Sequence, residues 1–270
     1  MITSPSNQRI KEARKLQRRR ARHEQQRVLI EGVRLVQDAW QTGATLHELF
    51  YAPELLQDNV AAATLVEQLA VGGVEMAPCS AAVFAALSET VTPQGVAATV
   101  SLPQLPVPVP CPLLLLLDLV RDPGNAGTLL RSAAAAGVGL VLFGPGTVDP
   151  FNEKVMRAGM GAHFRTPIRV LEEWAELERW VPADQPLYLA EAQGELAYDE
   201  VDWTQPATLV VGGEAEGASV WIRQRATPIR IPMERATESL NAAVAGSVIL
   251  FESARQRRWA RKRAAMREAR

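Results

Sequence analysis

Three segments of the 270-residue chain gather the residues from which a site can be built: DPGNAGTLLR (122–131), GGEAEGAS (212–219) and IPMERATESLN (231–241). Each follows an apolar run, and in open α/β sheets ligands bind where loops leave the carboxyl ends of strands. Between them they supply amides, a carboxylate, a hydroxyl and a guanidinium, which hold and orient a ligand and stabilise developing charge. They lack other familiar signatures. The first segment has only Gly124 and Gly127, with Asn125 between them, so no GxGxxG dinucleotide fingerprint is present, and no segment has a Walker lysine after its glycines. His23, His47 and His163 are scattered, and Cys79 and Cys111 stand alone without CxxC spacing, so no metal site or disulfide framework is indicated. One such segment would pass for an ordinary tight loop; three at successive strand ends point to a site.

The elements that must position these residues follow from periodicity and breakers. Leu113–Leu117 is a continuous apolar run of strand length, DPGNAG reads as a turn, and Thr128 onward is good helix material. GLVLFGPG (139–146), LYLAEA (187–192), ATLVVGG (207–213) and PIRIPM (228–233) read as further strands. FNEKVMRAGMGAHFRTP (151–167) gives a helix carrying Lys154 and Arg157, and a last helix is expected from Ser239 through the basic C-terminus. Ahead of these, residues 5–22 read as one basic helix. Strands at 27–32, 46–52, 73–78 and 95–102 alternate with helices at 32–40, after a turn at Pro53 through Leu69, and at 80–88. That alternation implies a small α/β domain. LPQLPVPVPCP (102–112) holds five prolines in eleven residues and reads as a semi-rigid linker. The expected division is therefore 1–101, a linker at 102–112, and 113–270.

A hydrophobic content of 47% suits a globular protein, and the net charge of −1 conceals an uneven distribution. Residues 1–34 carry ten Lys or Arg against three Glu, residues 253–270 carry eight against one, and the body between them is acidic. Basic ends on an acidic body suit phosphate contacts. The polar, basic start of the chain has no apolar leader core, and no run of 18 apolar residues occurs, so neither a secretory leader nor a membrane span is expected. The chain reads as cytoplasmic.

Taken together, the three segments resemble the SpoU (TrmH) family of S-adenosylmethionine-dependent RNA ribose 2′-O-methyltransferases, in the SPOUT superfamily. Asn125, Gly127 and Arg131 match its first motif, Asn-x-Gly-x-x-x-Arg; Gly212, Glu214 and Gly217 match its second, Gly-x-Glu-x-x-Gly. Ile231, Pro232 and Met233 followed by Ser239, Leu240 and Asn241 match the third. Two positions depart from the usual pattern: Gly159 stands where serine is more common, and Gly213 where asparagine is. A weaker likeness over 4–100 (SNQRIKEARKLQ, RVLIEGVRLV, TPQGVAATV) resembles the family's N-terminal RNA-binding domain.

The resemblance implies an α/β fold: a C-terminal SPOUT-type domain with a mostly parallel sheet and a trefoil knot, and a smaller N-terminal α/β substrate-binding domain. It implies S-adenosylmethionine as cofactor, ribosomal or transfer RNA as partner, and a homodimer that shares residues across its interface, with no metal and no membrane. The cofactor is implied to sit against Gly212, Gly213, Glu214, Gly217, Ile231, Pro232, Met233, Ser239, Leu240 and Asn241. Asn125, Glu214, Ser239 and Asn241 are implied to shape the site, with Arg131 activating the ribose hydroxyl. A guanidinium with a pKa above about 12 can act as a base only with help from an RNA phosphate; otherwise it orients the hydroxyl and stabilises charge. Arg9, Lys11, Arg14, Lys15, Arg18, Arg19, Arg34, Lys154 and Arg157 are the RNA-contact candidates. Two competitors are weighed against this reading. Intact Arg131, Glu214 and Asn241 count against a non-catalytic RNA-binding protein of the same fold. The missing GxGxxG, and the absence of an acidic residue about 20 residues on, count against a dinucleotide-dependent Rossmann oxidoreductase.

Overall fold

Short apolar runs alternating with amphipathic stretches build the first hundred residues into α1 (Gln8–Lys15), α2 (Arg19–Gln25), β1 (Arg27–Glu31), α3 (Val33–Gln41), β2 (Leu46–Tyr51), α4 (Pro53–Leu56), α5 (Val60–Val71), β3 (Glu75–Pro78), α6 (Ala81–Leu87) and β4 (Val96–Ser101). The source is a computed structural model that describes residues 1–234 and 239–268. Residues 235–238 of the third segment, and 269–270, therefore lie outside the described residues. The four strands form one sheet in the order β1-β4-β2-β3, with β4 antiparallel to β1 and β2, and β3 parallel to β2. Adjacent strand residues face opposite sides. Leu49 and Ala98 pack with Val36, Leu65 and Leu69 from α3 and α5, while Phe50 and Ala97 pack with Ile10, Val83 and Phe84 from α1 and α6.

The single basic helix expected over 5–22 is two helices, because Arg22 turns inward. Its guanidinium is buried and donates to the carbonyls of Leu16 and Gln17, each at 2.8 Å, satisfying groups that the end of α1 leaves open. Pro53, read as a turn, opens the short helix α4.

Beyond the prolines come β5 (Leu113–Asp118), α7 (Pro123–Ala136), β6 (Leu140–Phe143), α8 (Glu153–Gly159), β7 (Ile168–Val170), β8 (Leu187–Ala190), β9 (Leu196–Ala197), β10 (Ala207–Gly212), α9 (Val220–Arg223), β11 (Thr227–Arg230) and α10 (Ala242–Glu268). Seven strands make a wholly parallel sheet in the order β7-β6-β5-β10-β8-β11-β9. Every residue of β5 is buried, as a strand covered on both faces requires.

Four expectations need correction here. DPGNAG is the first turn of α7: Asp122 caps it by accepting from the Asn125 amide at 2.8 Å, and Pro123 occupies the first helical position, where no amide donor is needed. The last strand stops at Arg230, so Ile231–Met233 leave the sheet. The final helix starts at Ala242, since the Asn241 side chain accepts from the amides of Ala243 (2.9 Å) and Val244 (3.2 Å) and fixes its beginning. The strands β7 and β9, three and two residues long, were not anticipated.

The chain packs as two compact units: Met1–Pro103 together with Phe151–Phe164, and Gln104–Pro150 together with the described residues from Arg165 onward. Within the first, α8 and the turn after it place Met156 and Phe164 in the same core cluster as Val28, Ile30 and Leu65. Within the second, Val107 and Cys111 of the proline segment pack against the sheet's core, and Arg169 Nη2 donates to the Leu105 carbonyl at 3.0 Å. Among the described residues, no helix is long and apolar enough to cross a membrane.

Candidate functional site

The second unit contains a cavity of about 410 Å³ at the carboxyl ends of β8, β10 and β11, closed by the start of α10. Its walls come from Leu189–Ala192, Val211–Glu214, Gly217, Ala218, Ile229, Ile231, Met233, Ser239–Ala242, Ala245 and Ile249. The second segment forms one wall as a closed loop. The Gly213 amide donates to the Gly217 carbonyl at 3.1 Å, and the Gly217 amide returns a bond to Gly213 at 2.9 Å. Gly217 has φ +69°, a region that disfavours a side chain. At Gly213 the restriction is steric, because a Cβ there would overlap the carbonyl oxygen of Leu119, itself held at φ +58°.

A chain of hydrogen bonds joins the three segments. Asn241 commits its side-chain oxygen to the first amides of α10, so its Nδ2 is left to donate to Asn125 Oδ1, at 3.1 Å. Asn125 thereby commits its oxygen and donates through Nδ2 to the Glu214 carboxylate. Each amide has a single orientation compatible with both neighbours, which fixes the direction of the relay from α10 through α7 to the glycine loop. Below the loop, fully buried Asp118 at the end of β5 accepts from the Ser219 amide at 2.6 Å. Burial pushes its carboxyl above the usual carboxylate range, while the Ser219 amide and the Arg223 charge pull it back.

Of the residues expected at the cofactor, Gly212, Gly213, Glu214, Gly217, Ile231, Met233, Ser239, Leu240 and Asn241 line the cavity, and Pro232 does not. Asn125 stands behind the wall, bonded to two lining residues. Arg131 is not among the lining residues. It lies on α7, exposed to solvent, and among the described residues its guanidinium has no hydrogen-bond partner. The end of β8 was missed: Glu191 lines the cavity and pairs with Arg223 at 2.8 Å. The signal lay in LYLAEA, a strand whose carboxyl end carries a charged residue.

All nine RNA-contact candidates fall in the first unit, because Lys154 and Arg157 travel with α8. Carboxylates pair with Arg9 (Glu48 and Glu75), Lys15 (Glu12) and Arg157 (Glu153). Lys11, Arg14, Arg18, Arg19, Arg34 and Lys154 are exposed. Among the described residues, no group of three or more His, Cys, Asp or Glu is arranged to hold a metal ion.

Comparison with known proteins gives concordant matches. The profile of the SpoU rRNA methylase family matches residues 112–251, and that of the MRM3-like substrate-binding domain matches residues 7–98. The chain is 34% identical to human mitochondrial rRNA methyltransferase 3, across 88% of this chain and 69% of that protein. It is 30% identical to the 23S rRNA (guanosine(2553)-2′-O)-methyltransferase RlmP of Bacillus subtilis, across 93% of this chain and 97% of that one. Among solved structures it is similar to the SpoU methyltransferase AviRb from Streptomyces viridochromogenes in complex with AdoMet (TM-score 0.81, 27% identity, 93% and 99% coverage). It is likewise similar to an AdoMet-bound rRNA methyltransferase from Sinorhizobium meliloti (TM-score 0.79, 29% identity, 94% and 97% coverage).

Proposed function

The chain belongs to the SpoU rRNA methylase family, and from that membership we propose that it methylates the ribose 2′-hydroxyl of ribosomal or transfer RNA with S-adenosylmethionine as donor. The observation that carries the reading is the relay Asn241–Asn125–Glu214, which ties all three family motifs to one cavity.

The residues fit the cofactor. A volume of about 410 Å³ lies in the range of small-molecule sites. The glycine loop brings backbone close to the ligand, and Glu214 supplies negative charge suited to a cationic ligand. When bound, S-adenosylmethionine supplies a methyl group on a positively charged sulfur. The chain's own residues do the rest by positioning, which can account for roughly 7–11 kcal/mol of a bimolecular barrier. Glu214, Ser239 and Asn241 hold the site's polar edge, Asn125 keeps Glu214 and Asn241 in register, and Arg131 orients the ribose hydroxyl with its neighbouring phosphate. Residues 113–270 carry the chemistry and residues 1–101 select the RNA, through Lys11, Arg14, Arg18, Arg19, Arg34 and, from α8, Lys154.

The same reading includes a homodimer. Its support is the stripe Val244, Val248 and Phe251, exposed on α10 to 49%, 36% and 47% at helical spacing. Ser132, next to Arg131 on α7, bonds to Ser247 of α10 at 2.7 Å, and in this reading Arg131 serves a second copy's cavity. The trefoil knot belongs to the proposal too. It is supported by the placing of β10 between β5 and β8 and by the return of α10 onto α7 and β10. The reading also places the protein in the cytoplasm.

The deciding experiment is methyl transfer to ribosomal and transfer RNA from a strain lacking the protein, with the modified ribose mapped by mass spectrometry. A new 2′-O-methyl group is expected. Cofactor and RNA binding without transfer to any ribose would instead make the chain a non-catalytic RNA-binding protein.

A further inference from the structure

Arg223 makes contacts that the relay and the cavity floor do not use. It ends the short helix α9, and its Nε donates to the Ala218 carbonyl at 3.0 Å while Nη2 donates to the Glu216 carbonyl at 3.4 Å. The planar guanidinium therefore spans the returning half of the glycine loop, packed where a Cβ on Gly217 would collide with it. Its third nitrogen, Nη1, lies 2.8 Å from the carboxylate of Glu191, one residue past the end of β8. Glu191, Gly217 and Ala218 all face the cavity, so the pair ties two of its walls together. The next residue on the same side, Ser219, is anchored separately, its amide donating to Asp118.

We propose that Arg223 and Glu191 are positioning residues, a clasp that holds the glycine loop against the end of β8 and so sets cofactor affinity without touching the reacting groups. The inference rests on the cofactor reading above and names what regulates the width of that site. The charges alone carry little of it, because the Arg223 and Glu191 side chains are 46% and 29% exposed and water screens such pairs. The fork geometry carries more, since only a guanidinium can reach two backbone carbonyls and a carboxylate at once. A loop left loose must be ordered when ligand binds, and that cost falls on affinity. Turnover at saturation is untouched, because the ordered complex is the same.

The test uses the full chain and measures S-adenosylmethionine binding by calorimetry, steady-state methyl transfer, RNA affinity and thermal unfolding for Arg223→Ala, Arg223→Lys and Glu191→Gln. Arg223→Ala and Arg223→Lys should each raise Kd and KM for the cofactor about tenfold, and Glu191→Gln by a smaller factor, about threefold. Maximal turnover and RNA affinity should stay within about twofold, a split that general loosening of the fold would not give. Three results overturn the clasp: wild-type cofactor affinity in Arg223→Ala, full rescue by Arg223→Lys, or losses shared equally among cofactor binding, RNA binding and the unfolding midpoint. Should Arg223→Ala not fold, the lysine and glutamine variants decide by the same criteria. A wild-type protein that binds no S-adenosylmethionine overturns the functional reading and the clasp with it. A wild type that binds it, with variants that bind equally well, overturns the clasp alone.

Discussion

Asn125 and Arg131 sit six residues apart on one helix, yet they face different tasks. Six residues advance about 9 Å along the axis and turn the side chain roughly 240° around it. Asn125 therefore reaches Glu214 and Asn241, while Arg131 emerges into solvent away from the cavity. We expect Arg131→Ala to lower turnover at least about 100-fold while cofactor Kd, measured by calorimetry, stays within a few-fold. Arg131→Lys should not restore turnover, since the planar fork is lost. Gly213, one of the two departures from the motif pattern, has its own local cause. The Leu119 carbonyl occupies the space a side chain would need. Gly213→Asn should cost about 1–3 kcal/mol in thermal unfolding and weaken cofactor binding. Gly213→Ala should lose stability as well, because the contact is with backbone that even the smallest side chain meets. Wild-type unfolding midpoints in both variants would show that the Leu119 carbonyl is not the obstacle.

At the scale of elements, α8 shows how its N-terminus is tied to the first unit's sheet. Glu153, its first residue, has its carboxyl pushed up to about 7 by burial, by a shared hydrogen bond with Glu89 and by the nearby charges of Glu89 and Glu31, against the pull of Arg157. A folded-state pKa above the unfolded value means that the native protein holds a proton that the unfolded chain has released. Stability should therefore fall as pH rises from about 4.5 to about 7, then level off. Glu153→Gln should flatten that slope in a pH series of unfolding midpoints; an unchanged slope would assign it to other groups. In the parallel sheet β5, β6, β8 and β10 were legible because they are apolar runs of strand length, and the three motifs were legible because their spacing is distinctive. DPGNAG was not, because proline and glycine mark a helix start as readily as a turn when an aspartate precedes them. The strands β7 and β9 are too short to leave a period, and nothing local in FNEKVMR shows that Met156 completes a core built by residues more than 50 positions earlier. Glu191 was within reach through the rule for strand ends; its partner Arg223 was not, since that pairing is tertiary.

For the molecule as a whole, the charge distribution acquires a location. The nine basic candidates share the first compact unit, in which twelve Lys and Arg stand beside eleven Asp and Glu. Reversing exposed Lys11, Arg14 and Arg18 to glutamate should weaken RNA binding and flatten its salt dependence, each lost phosphate contact lowering the slope of log K against log salt by about 0.7–0.9. Cofactor binding should be unaffected. An unchanged salt slope in a filter-binding series would move the RNA interface to the C-terminal arginines. The passage of α8 into the first unit also bears on how the protein is made. A ribosome releases residues 1–103 well before Phe164, and at roughly 5–20 residues per second the intervening 61 residues take about 3–12 s to emerge. Throughout that interval the nascent first unit lacks Met156 and Phe164 from its core, so it waits, incompletely filled, for a piece of chain encoded within its neighbour.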